Sequence, residues 1–199
     1  MISAIRSVGM GIRTSGQALV AQRVGAGDLD GASLMAGQTI VLQYILFTPI
    51  VICGLAGAPL IMSLISSDPE IVRLGISYLR ASFAAVIFID GIFTLASIFR
   101  GAGEPGFSLA GMTVNSIVAF MAIPLLAFGA GPIPALGIAG TPLGLGAGRA
   151  IGYSVMMAFL FSGKCRIHLR PGHFLPRPAH LFRILRLGWP VGGQNLLER

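Results

Sequence analysis

Hydrophobic and polar positions divide the chain into long apolar stretches separated by short polar punctuation. No charged side chain occurs between Asp30 and Asp68, nor between Glu104 and Arg149. A helix needs about 20 apolar residues to cross a hydrocarbon core of roughly 30 Å. The first gap therefore holds one crossing and the second at least one, and a water-soluble core could not hide uncharged runs of that length. The pattern predicts spans near 32–65, 71–99, 107–128 and 141–163. A shorter amphipathic helix is expected near 1–24, which hydropathy alone would overlook. There Arg6 and Arg13 stand seven residues apart, hence near one face, and the segment reads as a short or incomplete span turned toward a polar interior. Met1 to Gln22 lacks the basic start, apolar middle and small-residue cleavage site of a secretory leader. It reads instead as the second half of a helix.

The punctuation carries its own chemistry. Arg23-Val-Gly-Ala-Gly-Asp-Leu-Asp-Gly31 reads as a turn, because its glycines permit one and its charges hold it in water. In Ser67-Asp-Pro-Glu70, proline is pre-set for a first helical turn and the acids suit a helix N-terminus. Arg100-Gly-Ala-Gly-Glu-Pro-Gly106 is a second glycine-rich turn, and 129–140 is an uncharged Gly/Pro linker. Pro49, Pro59 and Pro124 fall inside predicted spans, where neighbouring helices tolerate them.

Composition agrees with this pattern. Of 199 residues, 54% are hydrophobic and 11% charged, against about 25% charged in a typical soluble domain. The net charge of +7 would suit a nucleic-acid binder, but its distribution argues otherwise. Lys164, Arg166, Arg170, Arg177, Arg183 and Arg186 crowd one stretch that contains no acid. That is the pattern of a cytoplasmic loop under the positive-inside rule, and no nucleic-acid partner is expected. Alternation then places Gly129–Gly140 and Ser67–Arg73 outside, and Arg100–Gly106 and Arg23–Gly31 inside. Cys53 and Cys165 read as unpaired thiols, and His168, His173 and His180 as solvated loop residues without metal-ligand spacing.

Four segments together resemble one family. Gln17 to Asp28, with Ala32 and Gln38 beyond it, resembles the end of the second helix of MATE (multidrug and toxic compound extrusion) transporters. Phe99 to Pro105 is similar to that family's turn after the fourth helix, Gly137 to Pro142 to its approach to the sixth, and Ile184 to Pro190 to the start of its seventh. The order and spacing of all four agree across essentially the whole chain. The resemblance implies an all-α polytopic transmembrane bundle, the N-terminal lobe of a twelve-helix transporter with two six-helix lobes around a cavity. Residues 1–163 would then be a partial first lobe, 164–186 the cytoplasmic inter-lobe loop, and 187–199 the start of the second lobe. The rest of the transporter, the first helix and most of the second lobe, would be a required partner.

Candidate chemistry lies at membrane depth. Asp90 interrupts the 71–99 span, where an ionisable group costs roughly 2.5–3.5 kcal/mol and normally faces a cavity or a partner. It is either a proton- or cation-binding carboxylate or half of a structural ion pair. Arg149 is a possible partner, since helix-end counting puts the two depths about 6 Å apart, but snorkelling or cavity lining would also explain it. Arg80 lies about 80° around the helix from Asp90 and suits that role less. Asn115 corresponds to an asparagine of the family's fifth helix and is either a cavity residue or a helix–helix hydrogen-bonding group. Many members carry an acid one turn later, where this chain has Ala119, which puts the usual coupling carboxylate of this lobe in doubt. Gln38 and Gln43 do not share a face well; one of them, Gln43 in the candidate set, lines the cavity or bonds between helices. Gly146, Gly148 and Gly152 read as small residues for close packing.

The expected function is secondary active export of organic cations or amphipathic drugs in exchange for H⁺ or Na⁺, with the lipid bilayer of the cell membrane as surroundings and no cofactor beyond the coupling ion. The alternative is a flippase for a lipid-linked or polysaccharide precursor, for which Arg6, Arg13, Arg80 and Arg149 supply positive charge. An intramembrane enzyme would need paired acids, a Ser–His pair or metal ligands at depth, and none is visible, so no enzyme is expected.

Overall fold

A computed structural model describes residues 2–129 and 136–197, with side chains described over 9–129 and 136–188. Six α-helices occur among the described residues: α1 (Ile2–Gly25), α2 (Leu29–Ile65), α3 (Pro69–Gly101), α4 (Pro105–Phe128), α5 (Gly140–Phe161) and α6 (Pro178–Leu197). No strand occurs among them. The linker residues 130–135, the Arg6 side chain and the Trp189-Pro190 side chains lie outside the description.

The helices α2, α3 and α4, and the stretch from Gly137 through α5, are long and apolar enough to cross a membrane. At 1.5 Å per residue the 37 residues of α2 run to about 55 Å and the 33 of α3 to about 50 Å, well beyond the roughly 30 Å of hydrocarbon. Their outward faces are oily: Leu64, Phe120 and Phe128 are each at least 80% exposed. Large apolar side chains left bare in this number mark a lipid-facing surface. Pro49, Pro59 and Pro124 sit inside continuous helices.

The turn after α1 and the turn after α3 are built alike. Gly27 and Gly103 adopt φ of +75° and +76°, a left-handed conformation that glycine enters without a Cβ clash. In the first turn the amides of Gly27 and Asp28 donate to the carbonyls of Val24 and Arg23, and in the second those of Gly103 and Glu104 donate to Arg100 and Phe99. Asp28 then caps α2 by accepting from the Gly31 amide at 2.8 Å, while Arg23 reaches its other carboxylate oxygen at 2.6 Å. These two contacts, the Gly31 amide first, hold the Asp28 carboxyl below its ordinary pKa.

The chain divides into two compact units, one made of Met1–Ile45, Asp90–Gly111 and Ser154–Arg199, the other of Leu46–Ile89 and Met112–Tyr153. In the first, α1 and α6 approach closely at Gly11 and Gly188, where a Cβ on Gly11 would lie 2.5 Å from the Gly188 carbonyl oxygen. Phe107 bridges Phe99 and Phe159, with ring centroids 5.7 and 5.0 Å away. In the second, Phe88 packs edge-on against Tyr153, and α4 meets α5 at Gly148. A Cβ there would stand 2.7 Å from the Asn115 carbonyl oxygen and 2.8 Å from the Ala119 Cβ.

α6 begins nine residues before Leu187, where the charge pattern puts the start of the next apolar segment. Pro178 supplies a fixed first-turn φ, and the Arg177 carbonyl accepts from the His180 and Leu181 amides. Ile184 and Gly188, four apart, are buried, so Arg183 and Arg186 occupy the exposed face of an amphipathic helix rather than a loop.

The α4–α5 contact generates a test. Gly148→Ala forces backbone and side-chain shifts costing about 1–3 kcal/mol, and a lower melting temperature in detergent is expected. Gly57→Ala, whose added Cβ would come no nearer than 4.0 Å to Ile61, should leave melting unchanged. Equal melting of the two variants would refute the tight contact.

Candidate functional site

The long helix α3 places Asp90 and Thr94 one turn apart on the same face. Arg13 of α1 reaches Asp90, with its Nη1 2.8 Å from the carboxylate Oδ1 and side-chain exposures of 20% and 16%. The same guanidinium stands 5.6 Å from the centroid of the Phe93 ring, within cation–π range. The candidate carboxylate is thus held in an ion pair that is largely shielded from solvent.

One turn along, Thr94 donates its hydroxyl to Gln43 Oε1 at 2.7 Å. Gln43 is 1% exposed, and its Nε2 has no acceptor among the described residues. A buried donor left without an acceptor costs about 1–3 kcal/mol, so this amide is able to donate to an incoming oxygen. The structure therefore brings together Arg13, Asp90, Thr94 and Gln43 on α1, α2 and α3.

Asn115 and Arg149 belong to the other unit, on α4 and α5. Asn115 is half-buried, and its carbonyl meets Gly148, the residue before half-buried Arg149. Ala119 is 7% exposed and packs on the same glycine. A small side chain is what this helix crossing requires at position 119, which is a physical reason for the absence of an acid there.

Gln38 takes a different part. It is fully buried and fastens the segment 162–177, here called the strap, to α2. Its Nε2 donates to the carbonyls of His173 at 2.9 Å and Leu175 at 2.8 Å, and its Oε1 accepts from the Arg177 amide at 2.8 Å. Further pins come from the Arg166 amide to Glu104 Oε2 at 3.0 Å and the His168 amide to Ser33 Oγ at 3.1 Å. Cys165 is buried in this strap, and desolvation, with Glu104 nearby, pushes its thiol up to about 11. Both Cys165 and Cys53 are free thiols.

The family model described as MatE matches residues 1–128. The chain belongs to the MatE family. A relative from Deinococcus radiodurans, described as a probable multidrug resistance protein NorM, is 30% identical over 190 residues, covering 92% of this MatE chain and 40% of the relative. Two solved MATE family multidrug resistance transporters, one inward-facing and one outward-facing, each superpose with a TM-score of 0.81 at 23% identity over 98% of this chain. They are covered over 44% and 43% of their lengths. A MOP superfamily transporter from Pyrococcus furiosus matches equally well, with a TM-score of 0.81 and 42% of its length covered. The MatE chain spans less than half the length of each of these relatives, and its fold is that of a MATE transporter.

Arg13 as the partner of Asp90, and Thr94, enter the site from the structure of this MatE chain alone. A signal for Arg13 exists in the sequence. It lies twelve residues before the end of α1, and Asp90 eleven before the end of α3, so the two depths differ by only about 1.5 Å. Thr94 has no such signal, because a threonine in an apolar helix commonly bonds its own backbone.

The Gln38 clamp predicts a local opening. In Gln38→Leu two strap carbonyls and one amide lose their partners, at about 1–3 kcal/mol for each buried group left unpaired. Amide hydrogen exchange over 168–177, followed by mass spectrometry, is expected to accelerate at least tenfold while exchange in α3 is unaltered. Unchanged exchange in the strap would show that Gln38 does not hold it.

Proposed function

We propose that this chain is the partial first lobe of a secondary active exporter, which moves organic cations or amphipathic drugs outward in exchange for H⁺ or Na⁺. The observation that carries the reading is the Arg13–Asp90 pair. A carboxylate at this depth is stable as an anion only while a positive charge stands against it. A proton on Asp90 removes that need and frees Arg13. A cationic cargo group, or Na⁺, reaches the same state by displacing the guanidinium. Cargo and coupling ion then exclude each other at one carboxylate, which is the linkage an exchanger requires. Gln43 and Thr94 would supply neutral hydrogen-bonding groups to the cargo at this carboxylate; Asn115 and Arg149 are further candidate cargo residues, carried by the other unit. In this reading residues 1–163 contribute to one lobe, the strap faces the cytoplasm at the cell membrane, and the second lobe completes the cavity.

The flippase alternative draws on the cationic side chains. Pairing with Asp90 neutralises one of them, Arg13, and that weighs toward cationic cargo.

Asp90→Asn in the full-length transporter, reconstituted in proteoliposomes with an imposed proton or sodium gradient, is expected to lower gradient-driven efflux of a cationic dye at least tenfold per folded molecule. Arg13→Gln, which leaves the carboxylate uncompensated, should lower both folded yield and efflux. If Asp90→Asn merely reduces folded protein while transport per molecule and its coupling persist, the pair is structural and the assignment falls.

A further inference from the structure

The strap is built as a two-sided ribbon. Cys165, Ile167 and Leu169 are buried at 8%, 0% and 1% exposure, while Lys164, Arg166, His168 and Arg170 between and around them are exposed. The alternation puts the apolar side chains of 164–170 on one side of the segment and the cationic ones on the other. The apolar edge and the clamps at Gln38, Ser33 and Glu104 fix the ribbon, so its outer edge presents a set row of cations. Beyond a 3-10 turn at Pro171–Phe174, Arg177 is a further exposed cation, with its backbone amide held by Gln38. No acid occurs between Glu104 and the end of the described side chains.

We propose that the outer edge of the strap, Lys164, Arg166, Arg170 and Arg177, binds the phosphate groups of anionic phospholipids in the adjoining leaflet. Two observations select a lipid over a soluble anion, and a third supports anion binding as such. The strap follows directly on Phe161, the end of a helix long and apolar enough to cross the membrane, which places it at headgroup level. Leu175 and Phe182, 66% and 68% exposed, flank the cations with apolar side chains, as at surfaces that sit in a bilayer interface. The positive field is also felt by its neighbours. Burial first and then Arg170 hold His173 below its ordinary pKa, with Arg177 adding to this, and burial followed by Arg177, Arg23 and Arg183 does the same to His180. Cations gathered on one fixed edge attract a multiply coordinated anion. The inference rests on the chain's place in a bilayer and is independent of the exchange reading.

The test uses the full-length protein in a neutral detergent, titrated with short-chain phosphatidylglycerol or with phosphatidylcholine of the same acyl chains, with bound lipids counted by native mass spectrometry. Phosphatidylglycerol is expected to be retained in preference to phosphatidylcholine. Each cation removed in the series Arg170→Gln, Arg170→Gln/Arg177→Gln, and the quadruple variant with Lys164→Gln and Arg166→Gln should weaken retention about fivefold at low salt. These changes spare the backbone amides that Gln38 and Glu104 hold, and melting in phosphatidylcholine alone checks folding. If the quadruple variant fails to fold, the double variant decides. Arg73→Gln, an exposed cation at the start of α3, should leave retention unchanged. Equal retention of the two lipids would overturn the proposal, as would a phosphatidylglycerol preference that survives the substitutions, an equal loss in Arg73→Gln, or full displacement of the lipid by millimolar inorganic phosphate or by RNA.

Discussion

Polar groups that reach bilayer depth must find partners within the protein, because hydrocarbon offers none, and the polar architecture of the described helices follows from that demand. Asp90 takes Arg13, and Thr94 takes Gln43. Hydroxyls without a distant partner turn back on their own helix: Ser15 to the Gly11 carbonyl, Thr39 to Met35 and Ser97 to Thr94. One helix, α3, carries these two interhelical polar contacts within a single turn, so α1 and α2 are each tied to it by a specific side chain as well as by packing. Packing alone would leave rotation about the helix axes only weakly specified, because lipid tails are as apolar as the residues they touch.

Close approach of backbones is the other organising element. Where Gly11 meets Gly188 and Gly148 meets the Asn115 carbonyl, contact is made by main chain, and van der Waals attraction stands in for the hydrophobic force that is absent between membrane helices. Ala119 belongs to the same economy of volume, and its position on Gly148 links a packing requirement to the loss of an acidic group that the family often carries there.

Much of the fold was legible because membrane crossing imposes coarse, long-range rules on a sequence. Two long uncharged gaps and glycine-rich turns are enough to locate α2 through α5 to within a few residues. The start of α6 was not legible. In sequence Arg183 and Arg186 read as loop charge, whereas they line the outer face of a helix whose inner face is Ile184 and Gly188. The site was legible in part. Asp90 stands out as the one acid in the interior of α3, well beyond Glu70 in its first turn, and Gln43 as a polar residue in another helix, but which helices touch is a tertiary fact. Depth counted from the observed helix ends ranks Arg13 above Arg149 as a partner for Asp90, since Arg13 lies twelve residues before the end of α1 and Asp90 eleven before the end of α3. Gln38 and Gln43 look alike in sequence, and only the path of a strap more than 130 residues downstream separates them.

The Gln38 clamp has a consequence for how this region can change. All three of its bonds end on main-chain atoms, at the His173 and Leu175 carbonyls and the Arg177 amide. Every amino acid carries those carbonyls, and every one except proline carries that amide. The route of the strap is therefore uncoupled from the identity of its side chains at these anchors. Mutational drift can exchange their charge, bulk or polarity while the ribbon keeps its course, and at position 177 only proline is barred.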